Sequence, residues 1–272
     1  NWARLGEDDW GPEGIRAGFP SDFQLDFENS NRLFVNNYAG GNYLSLDGGE
    51  TWSTASQGYT GAMVRDVIVD PDNPGHVLAA SRSGLFETPD GGTTWLGRNN
   101  GIMKVLEWNA IAMSPASNQK LLAASNFIGE VSSSDDGGLS WNLVGNSVTG
   151  NKGWRVVTFA NSSRVYAGSA GYESAGTFSS NVVASGVQRS NDSGLSWSWV
   201  NSGAMSDAHV TSITTAADNI DLVFVATTNR GVLRSSNGGD SWQKLQGGLP
   251  DIAALSVAVD PRDSTLVFAG FE

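Results

Sequence analysis

Short apolar stretches recur in pairs along this 272-residue chain. Phe23-Gln24-Leu25 is followed by Leu33-Phe34-Val35, and Val67-Ile68-Val69 by Val77-Leu78-Ala79-Ala80. Ile111-Ala112-Met113 precedes Leu121-Leu122-Ala123-Ala124, and Val156-Val157-Thr158-Phe159 precedes Val165-Tyr166-Ala167-Gly168. Ile213-Thr214-Thr215 pairs with Leu222-Val223-Phe224-Val225, and Val257-Ala258-Val259 with Leu266-Val267-Phe268-Ala269. The links, such as Asp70-Pro71-Asp72-Asn73-Pro74-Gly75, are built from residues that fix φ, form Asx-turns or accept positive φ. Runs of four or so apolar residues between such turns read as strands.

A second pattern follows each of the first five pairs. The octets Ser45–Trp52, Thr88–Trp95, Ser134–Trp141, Ser190–Trp197 and Ser235–Trp242 share one layout. Each has a hydroxyl residue first, Asp or Asn third, Gly fifth, Ser or Thr seventh and Trp last. The tryptophans recur at steps of 43, 46, 56 and 45 residues. A period of about 45 residues is that of one four-stranded propeller blade. Each unit therefore reads as strand A, turn, strand B, short turn, strand C, octet hairpin, strand D.

The octet resembles the Asp-box (BNR) repeat, Ser-x-Asp-x-Gly-x-Thr-Trp. The resemblance spans nearly the whole chain and implies an all-β fold: a β-propeller of four-stranded antiparallel blades with Asp-box C–D hairpins. About six blades are expected here, in one domain covering 1–272. Asn1-Trp2-Ala3-Arg4-Leu5 matches the end of a box, and Leu255 to Ala269 supply only strands A and B of another unit. The chain is thus expected to be cut within a blade at both ends and to belong to a larger polypeptide, with a longer array as one outcome.

The box has a structural logic of its own. The carboxylate accepts hydrogen bonds from its own turn, glycine takes up positive φ, the hydroxyl pins the turn and the indole buries area. Asp47, Asp90, Asp136, Asp192 and Asn237, with Trp52, Trp95, Trp141, Trp197 and Trp242, are accordingly read as structural. Asn237 fits, because an amide oxygen also accepts.

Composition narrows the chemistry. The formal net charge of −12 disfavours nucleic acid and anionic membrane surfaces. Without cysteine there is no disulfide, thiolate metal site or cysteine nucleophile. No run of 18 apolar residues offers a membrane-spanning helix. His76 and His209 fall on opposite faces by loop assignment, so no shared metal site is expected, and no cofactor motif is present.

Families with this repeat include sialidases, xyloglucanases, sortilin-type receptors and photosystem II assembly factors, whose activities differ. The resemblance implies a ligand face opposite the boxes, made by D–A and B–C connections. The loop from 170 to 185 is the longest B–C connection and accounts for the 56-residue step. Arg65, Trp108, Trp154, Arg155, Tyr172 and His209 are the candidate ligand residues of that face. Aligned on strand A, Trp108 and Trp154 share one column and Arg65 and Arg155 the next. The competing reading is that the two Trp rings only fill space. Asp207 and Arg230 lie on the same connections.

The expected function is a non-catalytic recognition or scaffold propeller, secreted, periplasmic or at the cell surface, that binds a protein or a glycan. The alternatives are a glycoside hydrolase of sialidase or xyloglucanase type, and an assembly factor of a membrane complex. A glycosidase needs two converging carboxylates. A sialidase also needs an arginine cluster, for which Arg16, Arg65 and Arg155 are available, and a tyrosine nucleophile, from Tyr38, Tyr59 or Tyr172. Its Arg-Ile-Pro motif has only a loose echo in Ile15-Arg16-Ala17-Gly18-Phe19-Pro20, and no Asp lies near Tyr38-Ala39-Gly40-Gly41 as a xyloglucanase would require. Catalytic residues are not assignable from the sequence.

Overall fold

A computed structural model describes residues 19–26, 29–38, 41–55, 64–81, 84–101, 108–125, 130–144, 153–169 and 186–272. It is an all-β propeller of four-stranded antiparallel blades. Blade 1 holds β1 (Phe19–Leu25), β2 (Leu33–Tyr38), β3 (Gly41–Ser45) and β4 (Ser53–Thr54). Blade 2 holds β5 (Val64–Asp70), β6 (Asn73–Ser81), β7 (Gly84–Thr88) and β8 (Leu96–Gly97). Blade 3 holds β9 (Trp108–Ser114), β10 (Ser117–Ser125), β11 (Val131–Ser134) and β12 (Asn142–Val144). Blade 4 holds β13 (Trp154–Phe159), β14 (Val165–Ser169), β15 (Gly186–Ser190) and β16 (Ser198–Trp199). Blade 5 holds β17 (Val210–Thr215), β18 (Val223–Thr227), β19 (Gly231–Ser235) and β20 (Gln243–Lys244). A two-stranded sheet, β21 (Ala254–Asp260) and β22 (Asp263–Phe271), follows. The expectation of about six blades is corrected: the described residues form five four-stranded blades, because β21 and β22 have neither a third nor a fourth strand beside them.

The chain divides into two compact units, 1–111 with 134–141, and 112–133 with 142–272. In the first, Phe34, Ala55, Val64, Val67, Val77, Ala79 and Trp95 form one core cluster. The rings of Phe34 and Trp95 lie 6.0 Å apart, tilted by 55°. In the second, Tyr166, Val187, Met205, Val210, Val225, Leu233 and Trp242 belong to one cluster. Phe224, Ala254 and Val257 belong to another.

The burial pattern explains the apolar runs. The last five residues of β6 and of β10, and all five of β14 and of β18, are buried without alternation. A strand covered on both faces needs apolar residues at every position, so its sequence is a run and not an alternation. The fourth strands β8, β16 and β20 are exposed throughout.

Each repeated octet joins the third strand to the fourth and closes on itself by the same hydrogen bonds. In blade 2, Thr88 Oγ1 donates to Asp90 Oδ1 at 2.8 Å and accepts from Gly92 N at 2.8 Å. Thr94 donates its N–H and its hydroxyl to Asp90, at 2.8 and 2.7 Å. Ser134–Asp136–Ser140 in blade 3 repeats the pattern at 2.5 to 2.9 Å. The other turns do likewise around Asp47 and Asp192. Asn237 keeps the layout with one polarity reversed, since its Nδ2 donates to Ser241 Oγ at 2.9 Å. The fourth residue takes up a left-handed φ every time. It is glycine in four turns, and Ser193, at φ 61°, in the other.

The tryptophans that end the octets serve two purposes. Trp52, Trp141 and Trp197 donate Nε1–H to the glycine carbonyl of their own turn. Trp95 and Trp242 reach instead to the carbonyls of Ala55 and Val200, which follow the fourth strand of the preceding blade.

Candidate functional site

Antiparallel blades put the octet hairpins at one end of the strands and the connections from strand two to three, and from four to the next blade, at the other. Within the second unit, two of these latter connections lock together. The segment after β16 leads through a 3₁₀ turn, Gly203–Met205, to the start of β17. Met205 and Ala208 anchor it in the core, and Ser202 Oγ donates to Asp240 O at 2.6 Å. The facing turn runs from β18 to β19 through Thr228, Asn229 and Arg230.

Asn229 ties the two. Its Nδ2 donates to Asp207 O at 2.8 Å, while its Oδ1 accepts from His209 N at 2.9 Å. Thr228 N donates to His209 O at 3.0 Å, and an Arg230 NH2 group donates to Ser206 O at 3.3 Å. Thr227 Oγ1 shapes the turn by accepting from Arg230 N at 3.0 Å and donating to Gly231 O at 2.8 Å. Between its two tethers Asp207 is held at φ 53°, a left-handed conformation uncommon outside glycine. The Asp207 carboxylate and the Arg230 side chain are exposed, and the His209 ring is half-buried. Burial pushes the His209 pKa down, against the opposing pull of the Asp207 charge. Near neutral pH the ring is therefore uncharged, with one donor and one acceptor nitrogen. Carboxylate, imidazole and guanidinium on a fixed loop pair can hydrogen-bond hydroxyl, amide or carboxyl groups of a ligand.

The other candidate residues are distributed differently. Trp108 and Trp154 are each 1% exposed, so neither offers a ring face to a ligand. The expectation of exposed Trp anchors at these positions is corrected in that respect. Trp154 sits at the start of β13 and stacks on Trp199 of β16, with centroids 6.1 Å apart and planes 29° off parallel. Arg65 and Arg155 are half-buried, and each occupies the extra position where a strand shifts register, between Val64 and Asp66 and between Trp154 and Val156. Thr211 and Leu255 occupy the same position in β17 and β21. Such bulges re-aim a side chain, so the four residues hold the same position within their own strand pairs. Tyr172, and the loop 170–185 as a whole, lie outside the described residues.

The sequence pointed to His209, Asp207 and Arg230 but not to Asn229, whose role depends on a contact across 20 residues. Trp199 was also missed; its signal is a second tryptophan two positions after Trp197. Among the described residues no three His, Asp or Glu side chains gather as metal ligands, and no helix is long and apolar enough to cross a membrane.

No family model matches the chain, and no curated protein matches it. Solved structures do. An ancestral GH74 enzyme superposes with a TM-score of 0.73 at 21% identity, over 97% of this chain and 35% of its own. The GH74 xyloglucanase from Xanthomonas campestris gives 0.72 at 16% identity, over 97% of this chain and 45% of its own. An auxiliary nutrient binding protein from Bacteroides thetaiotaomicron gives 0.63 at 14% identity, over 90% and 65%. The chain thus spans less than half the length of these GH74 enzymes, and at such identities the likeness is one of fold.

Proposed function

We propose that this chain is a recognition propeller of Asp-box type that works outside the cytoplasm and binds a glycan or a protein without chemistry of its own. The observation that carries the proposal is the loop pair locked by Asn229, which presents Asp207, His209 and Arg230 at the strand ends opposite the octet hairpins. A left-handed aspartate held in place by a neighbouring side chain is strain that a binding loop can use. Titration calorimetry with neutral oligosaccharides and with peptides tests it. Asp207→Ala and Arg230→Ala are expected to weaken binding by about tenfold or more each, with the melting temperature unchanged. Binding that ignores both replacements refutes this assignment of the site.

A second reading, a glycoside hydrolase, is favoured by the likeness to GH74 enzymes. It requires two carboxyl groups roughly 5–9.5 Å apart across a glycosidic bond. Release of reducing ends from xyloglucan by the purified chain, lost in an Asp or Glu variant that still binds, would establish this reading over the first.

A further inference from the structure

Trp199 is 41% exposed, yet its ring is not loose: it stacks on Trp154, which is 1% exposed. A large indole that is partly exposed and stacked on a buried one is a platform fixed from beneath. The corresponding residues of blades 1, 2, 3 and 5, two positions after the box tryptophan, are Thr54, Gly97, Leu143 and Lys244, so the tryptophan is particular to blade 4.

A second observation lies beside it. Gln188 of β15 pairs directly with Trp199 of β16. Directly opposed residues point to the same face, with Cβ atoms about 5 Å apart. Gln188 is 4% exposed, and its Oε1 atom is buried with no hydrogen-bond partner. Buried amide oxygens nearly always have a partner, so an orphan beside an exposed ring needs an explanation.

We propose that Trp199 and Gln188 form a saccharide subsite that takes a pyranose ring of a neutral glycan. The C–H face of the sugar lies on the exposed indole, and a sugar hydroxyl donates to Gln188 Oε1 once the amide turns about its own side-chain torsions toward the ring edge. An aromatic face beside an amide acceptor matches a ring with one apolar face and a hydroxylated rim. The net charge of −12 opposes uronates and sialates, which selects a neutral sugar. The subsite uses none of the residues of the Asp207 loop pair and stands without them.

The test is titration of the whole chain with cellohexaose, xylohexaose and mannohexaose, followed by the change in tryptophan fluorescence and by calorimetry. At least one is expected to bind saturably. Trp199→Ala is expected to weaken it by about tenfold or more, and Trp199→Phe by much less. Gln188→Leu removes the orphaned oxygen while keeping bulk. It is expected to weaken binding by about threefold or more while the melting temperature holds or rises, a combination that a merely structural glutamine does not give. Lys244→Ala, at the equivalent position of blade 5, is expected to leave this binding intact, which ties the loss to blade 4. If none of the three sugars binds in the millimolar range, the proposal is overturned. It is equally overturned if Trp199→Phe and Trp199→Ala bind as the parent does, or if Gln188→Leu leaves the affinity unchanged.

Discussion

The indole of Trp95 donates to the carbonyl of Ala55 at 2.7 Å, across 40 residues of chain and from one blade to the one before it. Trp52 makes the corresponding bond inside its own turn, to Gly49 O at 3.1 Å. The same motif residue is thus a tie between blades in one place and a local clasp in another.

That difference predicts unequal costs. Trp95→Phe leaves a carbonyl without its donor in a buried setting and removes part of a ring that packs on Phe34. It should cost about 2–4 kcal/mol, from the orphaned group together with lost packing. Trp52→Phe, at a half-buried site, should cost about 1 kcal/mol. Chemical denaturation of the two variants checks the order; equal losses would mean that the bond between blades adds nothing.

The octet carboxylates predict acid lability. Hydrogen bonds from the Thr51 hydroxyl, the Thr51 N–H and Ser45 lower the Asp47 pKa to about 2. The Thr94 N–H and hydroxyl lower that of Asp90. For Asp136, burial pulls upward but the bonds from Ser140 and Ser134 outweigh it. A carboxyl group whose pKa is depressed on folding contributes stability that is present above its unfolded pKa and lost as pH falls through the folded one. Melting temperature should therefore drop between about pH 4 and pH 2. Asp47→Asn should flatten that slope, and the octet of Asn237, which carries an amide already, shows that the turn survives the exchange.

Gly194 predicts a severe defect from one methyl group. Its φ is +91°, and a Cβ there would come within 2.8 Å of Leu122 Cδ1. Gly194→Ala should cost about 2–4 kcal/mol, combining left-handed strain with a clash in a packed core. Gly194→Ala combined with Leu122→Ala should cost less than the sum of the two single losses, and strict additivity would deny the contact.

Much of this architecture was legible because the repeat states it five times. The apolar pairs became the first two strands of each blade, and the octets became the hairpins between the third and fourth strands. The blade count was overestimated because Leu255 to Ala269 carry the apolar pattern of strands A and B, and that pattern does not depend on whether two further strands stand beside them. The site was less legible. Aromatic type and column alignment suggested Trp108 and Trp154 as exposed anchors, but the first position of strand A faces packed neighbours, and both rings are buried. A column alignment says which residues are equivalent, and not which side of them is wet. Asn229 was illegible for a different reason: its two partners come from another loop, and no local pattern records them.

Asn229 makes the last prediction. Its amide spans Asp207 O and His209 N, one bond on each side of the residue that the loop holds in a left-handed conformation. Asn229→Ala removes both bonds from an exposed turn, so global stability should fall by only about 1 kcal/mol. The local effect should be larger, because Asp207 then relaxes to an ordinary φ and carries His209 and Arg230 out of register. Amide hydrogen exchange of His209 should speed up by about tenfold or more, while that of Val225 in the core stays slow. Asn229→Asp keeps the acceptor for His209 N but loses the donor to Asp207 O, and should fall between the two. If exchange at His209 is the same in all three proteins, the loop is held by its other contacts, and the amide is not the lock.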